Sequence, residues 1–302
     1  MIFKISKEIK FSHFYKKMNI LSLILIFLSL FIILFKGLNL GVDFKGGTLI
    51  EIRTDNSNIK ISEIRQSFLK MNLGDVTVKK FGKVNDYLVK IEMTESNNEN
   101  FIKSINEKLS SDLGSNINFR RVENVGPKVS KELLKAGFLA ISLSLIAMLF
   151  YIWIRFEWQF SLAAILALLH DVIFTLGIFS LFSYEINLSI VAAILTIVGY
   201  SMNDTVVIFD RIRENLRKYN HFNIIEISNI SINETLSRTI ITSLTTLLAL
   251  FSIYFVGGEI LRGFSFAMIV GVIIGTFSSI FVATPFLKFT NVTQKTVNKE
   301  EK

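Results

Sequence analysis

Six stretches of roughly twenty apolar residues, each near the length a helix needs to cross a bilayer, constrain this chain more than any other feature. They run approximately from Met18 to Phe35, Ala136 to Ile154, Phe160 to Phe182, Leu188 to Phe209, Leu236 to Val256 and Phe264 to Leu287. The composition agrees, with 51% hydrophobic residues and 28 Phe in 302 positions. The expected class is an α-helical membrane protein with six spans. The first run is longer than a signal-peptide core and no small-residue cleavage pattern follows it, so it is expected to stay as an anchor.

Composition also excludes several chemistries. Without Cys there is neither a disulfide nor a thiolate metal site, and three His, at 13, 170 and 221, are too few for a His-rich centre. No metal and no cofactor are expected. The formal charge of +8 fits Lys and Arg anchoring at one membrane face better than nucleic-acid binding. Lys4, Lys7, Lys10, Lys16 and Lys17 precede the first span; Arg211, Arg213, Arg217 and Lys218 follow the fourth; four lysines (Lys288, Lys295, Lys299 and Lys302) close the chain. With six alternating helices these clusters share one side. Counted by the positive-inside rule, that side is the cytoplasm and both termini lie within it.

The division that follows is a cytoplasmic tail at 1–17, a first span at 18–35, an extracytoplasmic domain at 36–132, a five-helix bundle at 133–288 and a cytoplasmic tail at 289–302. In the long polar segment, "TLIEIR", "DVTVKKF" and "DYLVKIEM" alternate as strands do, the last with Tyr87, Val89, Ile91 and Met93 on one face. Ile61, Ile64, Phe68 and Met71 recur at helical spacing, as do Phe101, Ile105 and Leu109, and "NINFRRV" reads as a final strand. Asn-rich "TESNNEN" and "LGSN" supply turns. The order β-α-β-β-α-β predicts a small ferredoxin-like α+β domain between the first and second helices.

No P-loop, HExxH, GxSxG or nucleophile-base pairing occurs, so function is sought in polar groups within the spans. Asp204 lies about six residues, or roughly 9 Å of helix rise, inside the end marked by Asp210 and Arg211. A charge at such depth costs at least a few kcal/mol and usually faces protein or water. Asn203, Ser201 and Thr205 crowd polarity around it. Arg238 enters the fifth span at a depth differing from Asp204 by only about 3 Å, so the two are expected to approach; cytoplasmic anchoring is the alternative for Arg238. His170 and Asp171 fall near the middle of the third span. Asp171 suits either a proton path or an interhelical hydrogen bond, and His170 suits packing better than metal ligation. Movement of Arg238 relative to Asp204 would change the proton occupancy of the acid, which is the minimum equipment for coupling proton passage to conformational change.

Two connectors complete the pattern. "GVDFKGG" provides a domain entry or hinge at Gly41, Asp43, Gly46 and Gly47, and "VGPKVS" starts a helix at Pro127. The amphipathic stretch from Ile224 is expected to lie along the inner surface before the fifth span.

"GVDFKGGTLIEI", "VGPKVSKEL", "GYSMNDTVVIFDRIREN" and "TLSRTIITSLTT", in this order and with spans between them, resemble the signature blocks of the SecF family. The resemblance covers the chain from about Gly41 to the sixth helix. It implies a half of the resistance-nodulation-division type of fold, in the bacterial inner membrane, working with SecD beside the SecYEG channel, the SecA motor and YajC. There it would use the proton-motive force to promote late translocation of preproteins, without chemical catalysis. It further implies proton transfer through Asp204 and Arg238, and leaves the role of Asp171 open. The competing readings are a proton-coupled exporter of small molecules or lipid from the same superfamily, disfavoured because this chain carries one half and one small domain, and a scaffold that moves no protons.

Overall fold

A computed structural model describes residues 8–55, 59–82, 85–92, 99–219 and 222–297. Met93, the Asn-rich turn before Glu99, His221, Lys4, Lys7, Lys299 and Lys302 lie outside them. Contacts divide the chain into two units, one of Met1–Asn39, Leu139–Glu185 and Ser189–Lys302, the other of Leu40–Phe138 with Ile186–Leu188.

The second unit opens with a short helix α2 (Val42–Lys45), which follows the long α1 (Ser12–Lys36) in the chain, and continues as β1 (Gly47–Thr54), α3 (Ile61–Leu69), β2 (Val76–Lys80), β3 (Asp86–Ile91), α4 (Glu99–Leu113) and β4 (Ile117–Val125). Sheet order is β2-β3-β1-β4 with every neighbouring pair antiparallel, the ferredoxin-like arrangement that the sequence order predicts. Alternation explains the core. Ile50 and Ile52 of β1 and Tyr87, Val89 and Ile91 of β3 point to one face, where Ile64 and Phe68 of α3 and Ile105 and Leu109 of α4 cover them at i, i+4 spacing. The buried Tyr87 hydroxyl is satisfied by donating to the Ile59 carbonyl at 2.6 Å, and burial pushes its ionisation above the ordinary phenol range.

The opposite face of the sheet is charged. Arg53 stands across from Asp86 in the β1–β3 register and grips it with two bonds of 2.6 and 2.8 Å. The β1–β4 ladder shifts between Glu51 and Ile52, which pair with Arg121 and Phe119. Arg120 is thereby the extra residue of a bulge, and its guanidinium reaches both Glu51 at 3.1 Å and Asp86 at 3.2 Å.

The remaining helices are α5 (Pro127–Arg155), α6 (Trp158–Leu181), α7 (Leu188–Lys218), α8 (Ile224–Val256), α9 (Glu259–Ser278), a π-helical turn (Ser279–Ala283), α10 (Thr284–Phe289) and α11 (Gln294–Val297). Six helical segments among the described residues are long and apolar enough to cross a membrane: α1, α5, α6, α7, α8 and the run from Ile260 to Phe289. In their most apolar windows α6, α7 and the last run are 56–61% buried, against 11–17% for α1, α5 and α8. The buried three carry the site described below, while the others turn Leu, Ile and Phe outward.

Several helices outrun their apolar windows. The stretch from Ile224 corrects the sequence expectation, for it forms the first turns of α8 instead of a separate surface segment. Asn223 caps it, accepting from the amides of Ile225 and Glu226, while Glu226 accepts from the Asn223 amide. No Gly or Pro then interrupts the helix before Gly257. Its polar residues are used within the bundle. Asn229 and Asn233 bond to Ser12 and Ile9, and Ser231 and Glu234 to Asn215 of α7.

Candidate functional site

Two glycines one turn apart on α9 bring it close to α7. A Cβ on Gly271 would fall 2.3 Å from Ile197, and one on Gly275 would fall 2.9 Å from Ser201. This small-xxx-small spacing lets helix backbones approach in a membrane. The resulting seam sets hydroxyl residues of α9 against the acidic stretch of α7, with α6 and α8 beside it.

Asp171 of α6 is fully buried and has the fuller set of partners. Its Oδ2 accepts from Ser201 at 2.6 Å and Ser278 at 2.8 Å, and its Oδ1 meets His170 Nδ1 at 3.0 Å. The His170 ring lies against Phe174 and Phe277, with centroids 6.5 and 6.3 Å away, and its Nε2 finds no hydrogen bond. His170 is thus both packed and in direct contact with the acid. Because one oxygen takes both serines, three helices converge on a single carboxylate, and among the described residues no Lys or Arg bonds to it.

Asp204, also buried, is held more loosely. Thr276 Oγ1 lies 3.5 Å from its Oδ2, but the same oxygen is 2.9 Å from the Val272 carbonyl and 2.8 Å from Ser243 Oγ. A hydroxyl has a single hydrogen, so it cannot serve all three neighbours at once. Ser243 of α8 also faces the acid. Arg238 is within electrostatic reach of Asp204, yet among the described residues the two form no ion pair. The Arg238 side chain lies on an exposed face of α8. Helix-rise arithmetic gives depth but not the direction a side chain points around the axis, and here direction separates the pair.

The other polar neighbours divide similarly. Ser201 bonds Asp171, not Asp204; Thr205 is buried and donates to the Ser201 carbonyl at 3.2 Å; Asn203 is exposed. Sequence reasoning missed Ser243, Thr276 and Ser278. The one legible hint was "GVIIGTFSS", whose two glycines lead straight into hydroxyl residues.

Immediately after Ser278 the helix widens into the π turn. Pro285 lacks the amide that would serve the Phe281 carbonyl four residues back and sterically opposes it, and the Thr284 hydroxyl donates to the Ser279 carbonyl within the widened turn at 2.7 Å. Widened turns of this kind are frequent at functional sites. At the end of α7, Arg211 and Arg213, read as anchors, also pair with acids, as does Arg155 at the end of α5. Arg211 bonds Glu234 at 2.6 Å and Glu214 at 2.5 Å, Arg213 bonds Glu157 at 3.2 Å, and Arg155 bonds Asp210 at 3.2 Å.

Within the sheet unit, the expected entry residues are ordered. Gly41 donates its amide to the Ile186 carbonyl at 2.8 Å, and Asp43 accepts from the Leu188 amide at 2.8 Å. Gly46 and Gly47 adopt φ of 82° and 126°, and a Cβ on Gly47 would sit 2.6 Å from the Ile91 carbonyl oxygen. Both backbone angle and space demand glycine there. A cluster of three or more His, Cys, Asp or Glu suited to a metal is absent among the described residues.

Comparison with known proteins places these features in a lineage. The family described as "Protein export membrane protein SecD/SecF, C-terminal" matches residues 105–293, and the "SecD/SecF GG Motif" matches residues 31–57. "Protein translocase subunit SecF" of Rickettsia rickettsii is 44% identical over 284 residues, covering 93% of this chain and 91% of the relative. Its counterpart in Desulfurispirillum indicum is 46% identical over 260 residues, covering 84% and 82%. The crystal structure of SecDF, a translocon-associated membrane protein from Thermus thermophilus, superposes with a TM-score of 0.86 at 33% identity, over 97% of this chain and 40% of that one. SecDF in its super-membrane-facing form gives 0.68 at 31% identity, over 96% and 40%. The chain therefore spans about 40% of the length of those SecDF chains.

Proposed function

The chain belongs to the SecD/SecF family of protein-export membrane proteins, and from that premise we propose that it works as an accessory subunit of the Sec translocase, coupling proton passage to late-stage movement of preproteins. Its curated relatives carry the name of a translocase subunit, and the solved SecDF chains, more than twice its length, support SecD as the partner that supplies the other half. SecYEG, SecA and YajC are the further partners. The protein lies in the inner membrane with both termini cytoplasmic and the sheet domain periplasmic, as its clustered basic flanks favour.

The observation that carries the coupling is the shared seam. The α7–α9 contact supplies Ser201 and Ser278 to Asp171, and Asp204 with Thr276 beside it. Sliding α9 against α7 changes the hydrogen bonding of both acids together. Buried carboxylates bonded by hydroxyls, without a bonded cation, are suited to taking up and releasing protons, since neither state strands a fixed opposite charge. Each charge crossing the membrane supplies about 2.3 kcal/mol per 100 mV, which is enough to bias two packings separated by a few kcal/mol. Arg238 meets Asp204 in the other packing, where the guanidinium turns inward, and the π turn beside Ser278 gives α9 room to shift.

Replacing Asp204 with Asn and measuring preprotein export with and without a proton gradient tests this reading. The variant should retain gradient-independent export and lose the gradient-dependent part. Unchanged gradient dependence would leave the chain a scaffold that moves no protons.

A further inference from the structure

A cavity of about 440 Å³ opens between the start of α1, the start of α8 and α10, within the range of roughly 300–1,000 Å³ typical of ligand sites. It is remote in sequence from both acids and the proposed coupling does not use it. Its lining is amphiphilic. Ile20, Leu23 and Phe289 supply apolar wall, whereas Lys16 and Lys288 stand exposed at its rim. Neither lysine side chain makes an ion pair or hydrogen bond with a described residue. Tyr15, also in the lining, has a buried hydroxyl oxygen with no hydrogen-bond partner. A phenol deprived of both water and protein partners is costly, and two unpaired ammonium groups beside it attract an anion.

We propose that this cavity binds an anionic phospholipid, with the phosphate between Lys16 and Lys288, the Tyr15 side chain turning so that its hydroxyl, closed to solvent here, donates to a headgroup or ester oxygen, and the acyl chains leaving along Ile20 and Leu23. Charge complementarity selects the anion. The apolar wall, on helices that face the bilayer, selects a lipid over a soluble phosphate. Basic pockets between spans at a membrane face are a recurrent setting for such headgroups. Because the lipid would touch α1, α8 and α10 together, it would clamp the mouth of the bundle just beyond the π turn.

The test uses the full chain in nanodiscs of phosphatidylcholine doped with phosphatidylglycerol, with bound lipid counted by native mass spectrometry. Wild type should retain phosphatidylglycerol over phosphatidylcholine, and Lys16→Gln/Lys288→Gln should reduce that preference about tenfold, consistent with the contribution of two lysines near an anionic headgroup. Tyr15→Phe, which keeps the ring, should reduce retention less while leaving thermal stability unchanged. Lys17→Gln, a neighbour outside the lining, should change nothing. Equal retention by wild type and the double lysine variant would overturn the proposal, as would displacement of the lipid by millimolar inorganic phosphate.

Discussion

In the sheet domain Asp86 is kept out of water by cations, while in the helical bundle Asp171 and Asp204 are kept out of it by hydroxyls. Arg53 binds Asp86 in a two-point grip and Arg120 approaches from the bulge. The bond to Asp86 also holds the Arg53 guanidinium above its ordinary range, so this charge pair is fixed and structural. In the bundle the partners are Ser201, Ser278 and His170 on one acid and Thr276 on the other. A hydroxyl can donate to a carboxylate or accept from a carboxylic acid by rotating its hydrogen. The difference teaches that buried acids are not alike: one sits in a fixed charge pair, while the other two have partners that suit either protonation state.

Breaking the cation-held side should have the largest effect on stability. Asp86→Ala removes both bonds of the Arg53 grip and one of the two acids on Arg120, which keeps Glu51, and should cost about 2–3 kcal/mol, below the range for fully buried pairs because both guanidiniums are partly solvated. Hydrogen-exchange protection of β1 and β3 would report it. Next is the seam that positions the hydroxyls. Gly271→Ala forces a methyl against Ile197 and should cost roughly 1–3 kcal/mol by overpacking, read as a lower thermal midpoint together with weakened gradient-dependent export.

These effects also show which parts were legible in the sequence. The six spans could be read because length and apolarity alone specify them, the core face of the sheet because β1, β2 and β3 alternate, and the sheet order because β-α-β-β-α-β is the element order of the ferredoxin-like arrangement. Periodicity could not show that Ser278 meets Asp171 or that Thr276 meets Asp204, because hydroxyl residues are frequent on all faces of these helices and only packing chooses between them. It likewise gave Arg238 a depth and left its direction around the helix axis open. The π turn was hidden for a similar reason, since Pro285 signals a disturbed helix without saying whether it kinks, ends or widens. Polar helix extensions such as 224–235 and 210–218 were read as lying outside the spans because their stability comes from caps and ion pairs, not apolar content.

Smaller substitutions sharpen the contrast. Ser278→Ala removes one of two hydroxyls on Asp171 and should cost about 1 kcal/mol, with export partly reduced and its pH profile shifted; an unchanged profile would remove Ser278 from the coupling. Asn203→Ala, on the exposed face of α7, should change the stability of the isolated chain by no more than about 0.5 kcal/mol.

The most direct measurement is infrared difference spectroscopy of the full chain in bilayers across a pH titration, comparing wild type with Asp171→Asn and Asp204→Asn. A protonated-carboxyl band that rises and falls with pH in wild type, and that loses intensity in each variant, is the expected result. A band unaffected by either substitution would contradict proton handling by the hydroxyl-held acids.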